Sequence, residues 1–247
     1  MSTTRLSVNV NKVATLRNAR GGDNPNVLHA ARTCIEAGCY GITVHPRPDE
    51  RHIRHQDVLD LAAFLEGSDV EFNVEGYPSP RYVELVERVR PTQCTLVPDP
   101  PGVLTSNAGW DLLAPHPTLA DTIARLKGIG ARVSLFLDPD VEQIRRAADV
   151  GAERVELYTG PFAEAFGTPQ QAEVFAPYHD AAVAAHEVGL GLNAGHDLDL
   201  DNLPFLAREL PHLLEVSIGH ALICDALYMG LTASVRAYLD ALRADAP

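Results

Sequence analysis

Lysine is scarce in this sequence of 247 residues, in which Lys12 and Lys127 are the two lysines among 20 basic residues and the net charge is −13. A mechanism that forms a Schiff base on lysine therefore has few candidates. Nucleic acids are bound through clustered cations, so the acidic balance argues against a nucleic acid partner. Arginine supplies the other positive charges, and its planar guanidinium suits bidentate recognition of phosphate.

The sequence also lacks long apolar runs and closely spaced pairs of cysteines. No apolar stretch approaches the roughly 18 residues of a membrane span, and residues 1–10 lack a basic segment followed by a long apolar one. We therefore expect no membrane partner and a cytoplasmic location. The four cysteines show no CxxC spacing, and we interpret them as reduced and structural.

The sequence does contain a repeated alternation of short apolar strands and helical segments. The predicted strands are residues 6–11, 41–45, 70–75, 94–97, 132–138, 154–158, 191–195 and 214–218. Repeated β-then-α units imply a parallel sheet, and eight units in about 240 residues match a closed barrel better than a doubly wound sheet. We predict an α/β protein with a single (β/α)8 TIM-barrel catalytic domain over residues 1–247.

Polar and apolar residues alternate within these strands. Thr43 and His45 share one face of the second strand, whereas Ile42 and Val44 share the other. If helices cover the apolar faces from outside, the polar faces point into the barrel. An antiparallel sheet with one wet face would give the same alternation, but the intervening helical segments argue against it.

Active sites of such barrels form at the C-terminal ends of the strands. The residues predicted there are strongly polar: Asn9, Asn11, His45, Glu75, Asp138, Glu156, Tyr158, His196 and His220. Each one alone has a structural explanation, such as a turn cap or an ion pair with arginine. Their shared position favours an active site, and we place His45, Glu75 and His196 at its chemical centre.

Glycine and arginine in the loops predict phosphate binding. Gly195-His196 follows the seventh strand, and Gly219-His220 leads from the eighth strand into the last helical segment. Glycine allows close approach of the backbone, and a helix N-terminus attracts phosphate. Two basic clusters are candidates for a second phosphate: Arg17 with Arg20, and Arg47 with Arg51 and His52. The alternative is that these arginines are solvated surface charges.

The predicted connection after the fourth strand, residues 98–117, is unusually long for a βα loop. A closing lid would exclude water from the site. A static loop held by Trp110 is the equally weighted alternative.

Several motifs distributed from Asn9 to His220 resemble those of one family. They are VNVN at residues 8–11, ATLRNARG at 14–21, GITVHPR at 41–47, RHI at 51–53, NVE at 73–75, VSLF at 133–136, NAGH at 193–196 and IGHA at 218–221. The combination is similar to the pyridoxine 5'-phosphate synthase family. The resemblance implies a barrel enzyme without metal or cofactor that condenses 1-deoxy-D-xylulose 5-phosphate with 3-amino-2-oxopropyl phosphate. The products would be pyridoxine 5'-phosphate, phosphate and water, and the assembly a homo-octamer.

The resemblance also implies roles for individual residues. His45 and Glu75 match proton acceptors, and His196 matches a proton donor. Positions that hold the aminoketone phosphate are matched by Asn9, Arg20, Gly219 and His220. Positions that hold the deoxyxylulose phosphate are matched by Arg47, His52 and Thr105, and Glu156 matches an inward acid near the site.

Two departures from the commonest family pattern lie beside these residues. Asn11-Lys12 stands where many members have Asp-His, and Asp197 stands where glycine follows the histidine. We include Asn11, Lys12 and Asp197 among the substrate-binding residues. Lys12 is interpreted as replacing the positive charge of the histidine, and its rival role is a Schiff base.

Two other functions remain open from the residues alone. His45, Glu75 and His196 could ligate a divalent metal, although the chain lacks an HxH or HExxH pair. A phosphosugar-binding sensor is the second alternative. Three proton-transfer groups at one place are more than binding requires, so catalysis is favoured.

Overall fold

A closed barrel of eight parallel strands forms the centre of the molecule in a computed structural model, which describes residues 4–99 and 106–243. The strands are β1 (Arg5–Asn9), β2 (Gly41–Val44), β3 (Glu71–Gly76), β4 (Gln93–Leu96), β5 (Arg132–Leu137), β6 (Arg154–Tyr158), β7 (Gly191–Gly195) and β8 (Leu213–Ile218). They pair in sequence order, and β8 pairs with β1 to close the barrel. The predicted (β/α)8 TIM barrel is confirmed.

Helices cover the outside of the barrel. They are α1 (Asn11–Asn18), α2 (Val27–Ala37), α3 (His55–Leu65), α4 (Pro80–Val89), α5 (Leu119–Gly128), α6 (Val141–Asp149), α7 (Gly160–Ala165), α8 (Gln171–Glu187), α9 (Leu203–Glu209), α10 (His220–Met229) and α11 (Leu231–Ala241). Local sequence sets several of their starts. Ser79 caps α4 by accepting a hydrogen bond from Tyr82 N, and Pro80 occupies the first turn.

The two faces of the strands separate as the alternation predicts. Ile42, Val44 and Val74 are fully buried in the apolar layer beneath the helices. Polar side chains bond to one another across the barrel interior, where Ser7 Oγ lies 2.7 Å from Thr43 Oγ1 and Asn73 Nδ2 donates to Thr43 at 3.3 Å. The polar faces therefore point inward, as predicted.

Paired charges fill the N-terminal half of the barrel interior. Arg132 donates to Glu71 at 2.5 Å, and Arg154 donates to Asn193 at 2.9 Å. Burial, and then the nearby Glu71, raises the pKa of Glu215, which lies 3.6 Å from Arg154.

Five of the predicted strands end at another residue in the structure: those predicted to end at residues 11, 45, 75, 97 and 138 end at Asn9, Val44, Gly76, Leu96 and Leu137. The strand predicted over 6–11 ends at Asn9, because Asn9 Oδ1 accepts a hydrogen bond from Asn11 N at 3.0 Å and turns the chain into α1. The strand predicted over 132–138 ends at Leu137. Asp138 is consequently exposed outside the barrel and accepts from Gly109 N.

The connection from β4 to α5 contains no helix or strand among its described residues. Trp110 is buried and donates from Nε1 to Leu96 O at 2.9 Å, so this part of the connection is held against the barrel. Residues 100–105, which the predicted lid includes, lie outside the described residues. No helix in the described ranges is long and apolar enough to cross a membrane.

Candidate active site

A cavity of about 630 Å³ opens at the C-terminal ends of the strands. Its lining comes from the strand ends and the βα connections, and most of the lining residues are polar. The lining residues are Asn9, Asn11, Lys12, Thr15, His45, Arg47, Arg51, His52, Glu75, Val97, Ser106, Phe136, Glu156, Tyr158, His196, Asp197, Leu198, Ser217, Ile218, Gly219, His220 and Ala221.

Of the residues assigned above to catalysis or substrate binding, all but Arg20 and Thr105 belong to this lining, whereas Asp138 and Arg17, which were also predicted near the site, do not. Arg20 is exposed just beyond the end of α1 and does not line the cavity of this single chain. Thr105 lies outside the described residues. The structure therefore brings together side chains that lie far apart in the sequence, from Asn9 to His220.

His45 and Glu75 form a largely buried titratable pair on the cavity wall. His45 Nδ1 lies 3.7 Å from Glu75 Oε2, and both side chains are largely buried. Asn9 Nδ2 lies 3.5 Å from the same Glu75 oxygen, while Asn11 Oδ1 accepts from His45 N at 2.9 Å. The two asparagines thus hold the pair in place from β1 and the start of α1.

Burial disfavours the charged forms of both groups. It raises the pKa of Glu75 to about 8, with Arg47 opposing the shift and Asp99 adding to it. Burial, followed by Arg47, His52 and Arg51, lowers the pKa of His45 well below its usual value. The resting pair therefore holds its proton on the carboxyl group, next to a neutral imidazole.

Glu156 is a second buried carboxyl group on the cavity wall. Burial, and then the neighbouring Glu75, raises its pKa well above the usual range, and its Oε2 has no hydrogen-bond partner in the described part of the chain. A Cβ at position 195 would overlap Glu156 Oε1. Gly195 is thus required for Glu156 to reach its position.

His196 and Asp197 follow β7 in left-handed backbone conformations, with φ values of 83° and 54°. His196 Nδ1 lies 2.8 Å from Asp197 Oδ2, and the His196 ring packs edge-on against Tyr158 at 5.2 Å. Thr159 Oγ1 donates to the carbonyls of Gly195 and His196, which fixes this turn.

The opposite wall carries positive charge. Arg47 donates to Asp99 at 2.8 Å in a buried ion pair, and Ser106 Oγ donates to the same carboxylate at 2.5 Å. Burial, with Arg47 and Lys12 nearby, lowers the pKa of His52 to about 4. His52 is therefore neutral at physiological pH, and the charge on this wall comes from arginine and lysine.

Arg17, a candidate for phosphate binding from the sequence, has a structural role. It is 1% exposed and forms a bidentate ion pair with Asp57 at 2.5 and 2.8 Å. It also donates to His52 O at 3.2 Å. The interpretation of Arg17 as a phosphate ligand was wrong, because its guanidinium is occupied beneath the cavity wall.

The start of α10 faces the cavity beside β1. Gly219 precedes the helix, and no side chain of the described residues caps its first turn. A Cβ on Gly219 would come within 3.0 Å of Asn9 Cβ. Glycine therefore allows the helix N-terminus to approach the strand that carries Asn9.

Some lining residues were not predicted. Phe136 belongs to the inward face of β5, and strand alternation would have identified it once that strand was given its correct end. Thr15 lies one turn after Asn11 and donates to its carbonyl, so helical spacing in α1 was its signal. Ser106 reaches the cavity through a loop contact for which the sequence has no signal.

The fold and cavity together define a (β/α)8-barrel enzyme whose site contains buried acid–base groups and a cationic wall. Residues 6–244 match the family described as pyridoxal phosphate biosynthesis protein PdxJ. The chain belongs to this family and is an enzyme of pyridoxal phosphate biosynthesis.

Two relatives named pyridoxine 5'-phosphate synthase support this membership. Pyridoxine 5'-phosphate synthase from Porphyromonas gingivalis is 55% identical over 239 residues, covering 97% of this chain and 99% of the relative. The protein of that name from Xanthomonas oryzae is 55% identical over 248 residues, covering 98% and 97%. A structure of Mycobacterium tuberculosis tryptophan synthase has a TM-score of 0.68 at 14% identity, covering 98% of this chain and 93% of that chain. That likeness concerns the fold alone.

Proposed function

We propose that the chain condenses 1-deoxy-D-xylulose 5-phosphate with 3-amino-2-oxopropyl phosphate to pyridoxine 5'-phosphate, phosphate and water. The observation that carries the proposal is the convergence of His45, Glu75 and His196 on one cavity of about 630 Å³. The names of the relatives specify the product. In this proposal residues 1–247 form one catalytic domain, and the protein acts in the cytoplasm.

The proposed chemistry begins when the substrate amine attacks the ketone of its partner to form an imine. Later proton transfers drive loss of phosphate and closure of the ring. His45 and Glu75 accept protons, and His196 donates one. Glu75 is protonated in the resting enzyme because its pKa is raised. The positive charge of the substrate's ammonium group has to stabilise the carboxylate form of Glu75 before Glu75 can act as a base.

In this proposal the two substrate phosphates occupy different parts of the cavity. The uncapped N-terminus of α10, with Gly219, His220 and Asn9, suits the aminoketone phosphate. Arg47, His52 and Lys12 on the cationic wall suit the deoxyxylulose phosphate. Glu156 and Asn11 complete the proposed substrate contacts, and Asp197 lines the cavity next to His196. Arg20 and Thr105 stay proposals that rest on the resemblance.

The decisive experiment incubates the purified protein with both phosphorylated substrates and measures pyridoxine phosphate by its absorbance. Formation of the product only when both substrates are present supports the proposal. Tight binding of either substrate without product would indicate a sensor and overturn it. Loss of turnover in chelator, with recovery on adding a divalent metal, would overturn the metal-independent mechanism.

Lys12 requires its own test. A Lys12→Ala variant is expected to raise the Michaelis constant of a phosphorylated substrate, because a cation near the anion is lost. Unchanged constants would contradict this role. Trapping of a covalent adduct by borohydride in the parent protein, absent in the variant, would instead support a Schiff base.

A homo-oligomer, specifically an octamer, is proposed for the assembly. Near the end of α10, Leu227 is 69% exposed and Tyr228 is 92% exposed. Exposed apolar groups of this size suit a contact between copies of the chain. Light scattering should give the mass of eight chains, and Tyr228→Glu should reduce it; a monomeric mass for the parent protein would contradict the proposal.

A further inference from the structure

The pairing of His196 with Asp197 goes beyond the roles assigned above. We propose that Asp197 is a positioning residue that orients the His196 ring and fixes which ring nitrogen exchanges protons with the substrate. This inference rests on the proposed role of His196 as the proton donor. It replaces the expected direct contact between Asp197 and substrate with an action through the histidine.

The first argument is the geometry of the pair. His196 Nδ1 lies 2.8 Å from Asp197 Oδ2, which is a hydrogen-bond distance for a ring N–H that donates to a carboxylate. An imidazole whose Nδ1 carries this proton uses Nε2 for acid–base exchange. The bond therefore assigns proton transfer to Nε2, which takes up a proton before it donates one to the substrate.

The second argument is the charge of the carboxyl group. The hydrogen bond from His196 lowers the pKa of Asp197; burial opposes this shift, and the electrostatic effect of His196, His220 and Lys12 adds to it. Asp197 is thus a carboxylate throughout the neutral range, and it accepts a hydrogen bond without donating one.

The third argument is the rigidity of the turn. Thr159 Oγ1 holds the carbonyls of Gly195 and His196, and Asn202 Nδ2 donates to Asp197 O at 3.1 Å. Asn202 is itself 2% exposed. Because both backbone positions are fixed, the side chains of His196 and Asp197 meet without further ordering of the loop.

The backbone conformation at position 197 also allows substitutions that do not strain the chain. Its φ of 54° lies in the left-handed region, which glycine, asparagine and aspartate adopt more readily than other residues. Asp197→Gly removes the carboxylate without straining the backbone. Asp197→Asn keeps an oxygen that accepts from Nδ1 but removes the charge. Asp201→Asn, an exposed position on the same connection, is the matched control.

The test combines kinetics with 15N NMR of the histidine side chains. In Asp197→Gly we expect kcat to fall about tenfold or more, while the Michaelis constants of both substrates stay within about twofold. Asp197→Asn should recover most of that loss, and Asp201→Asn should behave as the parent. In the free parent enzyme the His196 signals should show a proton on Nδ1, and in Asp197→Gly they should shift towards the Nε2–H form.

The possible negative results separate the role of Asp197 from the proposed function. A raised Michaelis constant with unchanged kcat in Asp197→Gly would mean that Asp197 binds substrate, and it would overturn the inference. Unchanged NMR signals in that variant would also overturn it. Absence of product with the parent enzyme would refute the proposed function instead, and the NMR comparison would still decide the pairing.

Discussion

His45 Nδ1, directly after β2, lies 3.7 Å from Glu75 Oε2 on the neighbouring strand β3, and both residues line the cavity. Both side chains are buried, so neither charged form is favoured in the resting enzyme. The pair is consequently poised to pass a proton when a charged substrate changes its surroundings.

Removal of the acid–base function of Glu75 tests this pair directly. Glu75→Gln preserves shape and removes the ionisable group, so we expect turnover to fall by about 10² to 10⁴-fold with the fold intact. Circular dichroism would check the fold, and the absorbance assay would give the rate. An undiminished rate would refute the role of Glu75.

The same substitution predicts a change in how stability depends on pH. The pKa of Glu75 is raised to about 8 in the folded protein from its usual 4.5, so the unfolded state loses its proton first. Stability associated with protonated Glu75 is complete below about pH 4.5 and is lost as the pH rises towards 8. Glu75→Gln cannot ionise and does not show this loss.

Denaturant unfolding at several pH values measures that difference. Between about pH 5 and 8 the parent protein should lose up to about 1.4 kcal/mol per pH unit relative to Glu75→Gln. Parallel stability curves for the two proteins would show that the pKa of Glu75 is not raised.

Gly195 should be intolerant of a side chain because it adjoins Glu156. Gly195→Ala places a methyl group where Glu156 Oε1 now lies, so we expect Glu156 to move and turnover to fall at least about tenfold. Gly128→Ala is the control, since a Cβ there meets nothing within 4 Å. Equal activity of the two variants would contradict this account.

The buried ion pair between Arg17 and Asp57 should stabilise the folded protein. Asp57→Ala removes the bidentate partner of buried Arg17 and a hydrogen bond to Arg54 N. Loss of one partner of a buried pair is expected to lower the free energy of unfolding by about 3–5 kcal/mol.

Urea unfolding measures this effect of Asp57→Ala. The exposed pair of Arg146 and Asp149 supplies the comparison, because Asp149→Ala should cost less than about 1 kcal/mol. Similar costs for the two variants would show that Arg17 does not depend on Asp57.

Strand alternation predicted the inward direction of His45 and Glu75 because successive side chains point to opposite faces wherever a strand is regular. It failed at the ends of strands. Asn9 bonds to the backbone of Asn11 and stops β1, and such a bond competes with the sheet without leaving a mark in the hydrophobic pattern. Asp138 was misplaced for a similar reason, since β5 ends one residue earlier.

Arginine was the residue type that sequence alone assigned least well. Arg17 and Arg47 stand in similar polar motifs, yet Arg17 is paired with Asp57 below the wall while Arg47 lines the cavity. The difference comes from which carboxylate lies within reach, and those partners are 40 and 52 residues away in sequence.

By itself, the sequence determined the barrel, the inward polar faces and the ends of the strands at which polar residues gather, because these follow from local periodicity. The tertiary structure decided which polar groups meet. Burial of His45 beside Glu75, the space that Gly195 leaves for Glu156, and the bond from His196 to Asp197 all depend on closure of the barrel and on fixed loop geometry. Protonation follows from those surroundings, since desolvation and neighbouring charges, rather than residue type alone, determine a pKa.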